Sequence, residues 1–201
     1  MKRILLSLFL IGFWTIGNSF AQDDASMKGA ETPKFQQAND TGRCLVFNQY
    51  VIKTKSGEGV GEDISVYKRP ASTNAKDNCK ANNPLLFVIT NRDANYFMGL
   101  FQSFLFIDSG TGPDSRGLEI YNLDTRKSVF TDEYHESVKI VPGNLVMFDK
   151  ISAKAGSNKN CRSAAKIKKD GLTVGWIQDT QLDLKTMKRK PVGSLRCVAM
   201  Q

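Results

Sequence analysis

The residues of this 201-residue chain that could carry chemistry are few: four cysteines, one histidine and one Asp-Ser-Gly turn. A single histidine, His135, excludes every site built from two or more imidazoles, including zinc proteases and zinc fingers. It lies in the polar run Thr131-Asp132-Glu133-Tyr134-His135-Glu136-Ser137, and no G-x-S-x-G elbow accompanies it. Cys44, Cys79, Cys161 and Cys197 contain no CxxC pair, and their spacing matches no zinc module. All four can pair, so a nucleophilic thiol is not expected. Asp108 stands in Leu105-Phe106-Ile107-Asp108-Ser109-Gly110-Thr111-Gly112. A carboxylate on a tight glycine turn can activate water if a second carboxylate shares one proton with it. Asp108 and Asp114 are too few acids for an EF-hand, and Gly57, Gly59 and Gly61 lack the order of a phosphate loop. No metal or cofactor is expected.

The Asp108 segment resembles the active-site loop of aspartic peptidases, hydrophobic-hydrophobic-Asp-Ser/Thr-Gly-Thr/Ser. One such loop implies a homodimer of the retropepsin kind, with Thr173-Val174-Gly175 as a loose counterpart of that family's later glycine segment. The departures are Gly112, the long lead before the motif and the cysteines. The plainer reading is a strand ending in a turn whose Asp caps backbone N–H groups. Peptidase use of Asp108 is therefore the alternative function, and a non-enzymatic one comes first.

Charge is the broader signal. The chain carries 28 Lys+Arg against 20 Asp+Glu, a net of +8. Residues 150–201 hold 12 basic and three acidic side chains, a net of +9, whereas residues 22–149 hold 14 and 17, a net of −3. The basic residues fall in three groups: Lys154, Lys159 and Arg162; Lys166, Lys168 and Lys169; Lys188, Arg189 and Lys190. Side by side, they would form one basic rim that attracts an acidic protein, an anionic lipid or a cell-envelope polymer. An exported chain is poorly placed to meet nucleic acid.

Export is read from the start of the chain. Lys2 and Arg3 precede an apolar run over residues 4–16, followed by Ser19 and Ala21 at the −3 and −1 positions of a cut. This is the pattern of a secretory signal peptide, residues 1–21, and the run is short of the ~20 apolar residues that span a bilayer. The mature chain would then carry +6 and reside in the periplasm or outside the cell. In that oxidising setting four cysteines make a disulfide framework. Of three pairings, Cys44–Cys79 with Cys161–Cys197 is expected, because each bridge then closes its own half of the chain.

The elements that must position these residues are β-strands. Residues 22–42 are polar and read as a flexible leader. Residues 43–201 then form one β-rich domain of about 10–12 short strands. Strands are expected at 63–68, 85–90, 104–108, 118–123 and 195–200, with a loop at 71–84 held by Cys79. Residues 138–141 and 145–148 flank Pro142-Gly143-Asn144 as a hairpin. Residues 164–168 and 172–177 flank Lys169-Asp170-Gly171 as another. Phe97, Leu100, Phe101 and Phe104 recur at helical spacing and suggest one helical turn in the core. Tyr121-Asn122-Leu123-Asp124-Thr125-Arg126-Lys127 aligns with Leu182-Asp183-Leu184-Lys185-Thr186-Met187-Lys188 at an offset of 61 residues. The repeat resembles the outer hairpin of a β-propeller blade. Sandwich, barrel and small propeller all fit an all-β, disulfide-stapled domain of this size.

Overall fold

A computed structural model describes residues 27–57, 59–71, 74–154, 156 and 160–201. The signal peptide, the first residues of the expected leader and Lys159 lie outside the described residues. The fold is all-β, and the described residues form thirteen strands in three antiparallel sheets. The first sheet holds β1 (Phe35–Asn39), β2 (Gly42–Val46), β3 (Tyr50–Ser56), β4 (Glu62–Lys68) and β5 (Leu85–Ile89). The second holds β6 (Tyr96–Phe101), β7 (Phe104–Ser109), β8 (Arg116–Asn122) and β9 (Lys127–Tyr134). The third holds β10 (Val138–Val141), β11 (Leu145–Ile151), β12 (Thr173–Asp183) and β13 (Lys188–Met200). Every sheet is a meander in chain order.

Strand alternation stacks the sheets. On β7, Leu105 and Ile107 join a core with Ile52, Ile64 and Val66 of the first sheet. Phe106, pointing the opposite way, joins Val146, Phe148 and Leu182 of the third. The second sheet is thus apolar on both faces and separates two cores, as a blade sits between neighbours. The three meanders repeat one construction. The repeated unit is four strands, β2–β5, β6–β9 and β10–β13. The N–H groups of Arg69, Leu123 and Leu184, each just past the third strand of its unit, donate to the carbonyls of Gln49, Ser103 and Asn144 at 2.9, 2.8 and 3.1 Å. Two long connections break the repeat: residues 69–84 in the first sheet and 152–172 in the third. Each is pinned by a disulfide, Cys44–Cys79 and Cys161–Cys197, the expected pairing.

Three sequence expectations change. Phe97 to Phe104 is not a helical turn but the β6–β7 hairpin, closed by Gln102 at φ 56° with Leu100 facing Leu105 and Phe101 facing Phe104. Aromatic and branched side chains fill a two-sided sheet better than one helix face. The first arm of the expected Asp170-Gly171 hairpin is a helix, α1 (Ala164–Lys169). Alanine and lysine are strong helix formers, and Gly171, at φ 77°, terminates the helix as Leu172 N–H returns to the Ile167 carbonyl at 3.1 Å.

The third change concerns the polar segment. From Met27 on it is a strap, not a free leader. Met27 N–H donates to the Met98 carbonyl at 3.3 Å, and Lys28 accepts from Ile140 N–H at 2.8 Å. Glu31 N–H reaches Leu100 and Lys34 N–H reaches Val46, both at 2.7 Å. The strap therefore crosses β10, β6 and β2, the leading strand of each repeat. Those strand edges carry backbone groups that need partners, and Met27 buries its side chain in the core between the second and third sheets.

Candidate functional site

Asp108 lies on β7 in a row that runs across the second sheet through Tyr96, Leu118 and Asp132. Its carboxylate accepts from Arg116 Nε at 2.7 Å, from the other arm of the same guanidinium, and from the Tyr134 hydroxyl at 2.9 Å. Arg116 also stacks over the Tyr96 ring at 5.6 Å. The bond to Asp108 raises the Arg116 pKa further against the opposing effect of burial. Burial first, then the Asp108 charge, pushes the Tyr134 phenol well above its ordinary value, so it stays a donor. A proton-sharing dyad needs two carboxylates in contact. Asp132, the next acid in the row, is one strand beyond Leu118, and strand spacing places it roughly 9–10 Å away. Each carboxylate is neutralised by cations of its own.

His135 is buried, and its Nδ1 donates to the Asp114 carbonyl at 2.6 Å. Its Nε2 stands 3.6 Å from Glu136. The neighbouring Asp149 carboxylate accepts from the N–H groups of Glu136 and Ser137 at 3.1 and 2.8 Å, which fixes the β9–β10 connection. These contacts hold a corner in place. Among the described residues, no group of three His, Cys, Asp or Glu is arranged to hold a metal ion, and no helix is long and apolar enough to cross a membrane.

The basic residues separate into two sets. Lys154, Arg162, Lys166, Lys168 and Lys169 belong to the connection between β11 and β12 and are exposed. Ile167 anchors that connection by packing on Trp176 beside Cys161 and Cys197. The helix carries no acid in its first turn and three lysines in its last, which suits the negative end of the helix dipole. Among the described residues, none of these five cations is in an ion pair. Lys188, Arg189 and Lys190 open β13, opposite residues 181–183 of β12. Seven residues of strand part Trp176 from Asp183, about 23 Å at ~3.3 Å per residue, so the two sets do not merge into one rim.

Arg189 leaves the basic set altogether. It turns toward the second sheet and pairs with Asp132, whose other oxygen binds Lys150 Nζ. The Asp132 side chain is 5% exposed, Lys150 31% and Arg189 50%. Beside this triad lies a cleft of about 290 Å³ lined by Lys150, Ser152, Gln178, Thr180, Arg189 and Pro191. Sequence reading singles out neither Asp132 nor Lys150. They are ordinary charged residues in alternating strands, and only the packing of one sheet on another brings them together.

No family model, curated protein or solved structure matches the chain.

Proposed function

We propose that the protein is an exported, disulfide-bonded β-domain that binds an anionic envelope surface through the basic connection at residues 152–172. The observation that carries this reading is the set of Arg162, just before α1, and Lys166, Lys168 and Lys169 on it, all exposed and without ion pairs among the described residues, where the Cys161–Cys197 bridge and the packing of Ile167 on Trp176 hold the segment. Cations held on a rigid support lose little freedom on binding, so more of their attraction appears as affinity. Two disulfides in one chain accord with an oxidising compartment. Export is supported by the basic-then-apolar pattern of residues 1–21. The alternative, peptidase use of Asp108, draws no support from a carboxylate already bound by Arg116 and Tyr134.

Co-sedimentation with phosphatidylglycerol-containing vesicles tests the reading, with pure phosphatidylcholine vesicles as control. The chain should sediment with the anionic vesicles only, and added salt should release it. The triple variant Lys166→Glu, Lys168→Glu, Lys169→Glu should abolish sedimentation. Equal binding to both vesicle types, or a triple variant that binds like wild type, would overturn it.

A further inference from the structure

The charge balance of the Asp132 cluster is incomplete, and this points to a ligand. Two cations, Lys150 and Arg189, converge on one carboxylate. The triad therefore keeps one net positive charge at the interface between the second and third sheets, with Asp132 buried and the two cations partly open to solvent. Neither cation is exhausted as a donor. The ammonium has three N–H bonds and the guanidinium five, and among the described residues the side-chain bonds use one from Lys150 to Asp132 Oδ1 and one from Arg189 Nη1 to Oδ2. Both side chains line the same open cleft of about 290 Å³. Ser152, Thr180 and Gln178 line it too. The Gln178 Nε2 is tied to the Gly193 carbonyl at 3.4 Å.

We propose that this cleft is a binding site for a small phosphate monoester, with the phosphate held between Lys150 and Arg189. Lys150 of β11, Gln178 and Thr180 of β12 and Arg189 of β13 share one face of the third sheet, so the two cations stand over the same cleft. A phosphate monoester, which carries nearly two negative charges at neutral pH, gains more from such a pair than a singly charged carboxylate does. The volume exceeds that of a phosphate group and leaves room for a small organic substituent. Asp132 has two effects: it holds the two cations in place and it competes with the incoming anion for their donors. The site is separate from the α1 lysines and does not rest on their role.

Calorimetric titration of the full chain with inorganic phosphate, glucose 6-phosphate and glutamate tests this. Saturable binding of both phosphates is expected, with glutamate at least tenfold weaker. Lys150→Gln, which leaves Arg189 paired with Asp132, and Arg189→Gln should each weaken phosphate binding by about tenfold, the effect of losing one charge-assisted hydrogen bond. Asp132→Asn should tighten it severalfold by removing the competitor. The triple α1 variant Lys166→Gln, Lys168→Gln, Lys169→Gln should leave it unchanged, so failure here is distinguishable from failure of the vesicle result. No saturation by about 10 mM phosphate, equal binding of glutamate, or indifference to both Lys150→Gln and Arg189→Gln would overturn the proposal.

Discussion

Asn122 and Asp183, 61 residues apart in the chain, hold the same turn. Asn122 Oδ1 accepts from the N–H groups of Asp124 and Thr125 at 2.9 and 3.0 Å. Asp183 Oδ1 accepts from Lys185 and Thr186 at 2.8 and 3.2 Å. Each turn continues through a left-handed residue, Arg126 at φ 59° and Met187 at φ 53°, and each buries its leucine, Leu123 or Leu184. Asn122→Ala and Asp183→Ala should each cost about 1 kcal/mol in urea unfolding, the usual effect of losing a side-chain cap. Asn122→Asp should be nearly neutral, because the accepting oxygen is kept. A larger loss in the conservative variant than in the alanine variant would contradict this account.

Asp108→Asn removes the charge that holds Arg116 and keeps the shape. Because Arg116 is then left partly buried without its partner, stability should fall by about 1–3 kcal/mol. Tyr134→Phe, which deletes one neutral donor to the same carboxylate, should cost less, about 1 kcal/mol. Chemical denaturation of the two variants side by side checks the order.

Tyr50 gives a pH signature. Its hydroxyl donates to Asp124 at 3.1 Å, and burial followed by that acid pushes its pKa up to about 12. Below pH ~10 the phenol is neutral in folded and unfolded chains alike, so its contribution is fully present. Between pH ~10 and about 12 only the unfolded chain ionises, and stability falls until the folded phenol titrates as well. Tyr121, raised to about 12 by burial and then by Glu119, adds to the same window. Unfolding measured across this range should show the decline, and Tyr50→Phe should make it shallower. Ultraviolet titration of the native protein should place the Tyr50 transition near the upper end.

The Cys161–Cys197 bridge ties the 152–172 connection to β13. The double variant Cys161→Ser, Cys197→Ser should lose about 3–4 kcal/mol in the chain-entropy account of a loop this long. Trp176, the sole tryptophan outside residues 1–26, packs in the same small cluster. Its fluorescence should therefore shift to the red in that variant while the far-ultraviolet β signal stays. Binding to anionic vesicles should weaken in parallel, since α1 loses its anchor.

Much of this fold is legible in the chain because its causes are local. Strand alternation in β7, the Pro142-Gly143-Asn144 hairpin and the repeated turns are written in a few adjacent residues. The disulfide pairing is the one of three possibilities in which each bridge closes its own half of the chain, and the structure bears it out. Helix α1 is not legible in the sequence, because Asp-Gly serves a helix end as well as a hairpin and Ala-Ala-Lys-Ile-Lys-Lys is too short to show a helical period. The strap at residues 27–34 left no sequence signal either. It is held by backbone hydrogen bonds to β10, β6 and β2, which any polar sequence can make.

The candidate site divides the same way. The excess of positive charge in residues 150–201 is a property of composition, and the sequence by itself determined it, along with the all-β class and the disulfide framework. Where those charges go was decided only by tertiary structure. A strand spreads neighbouring residues along ~3.3 Å steps and turns alternate side chains to opposite faces. Lys188, Arg189 and Lys190 are therefore consecutive in the chain, yet Arg189 is turned to the opposite face from the two lysines. Asp132, Lys150 and Arg189 come from three strands of two sheets, and they meet because apolar faces on either side of them had to be buried together.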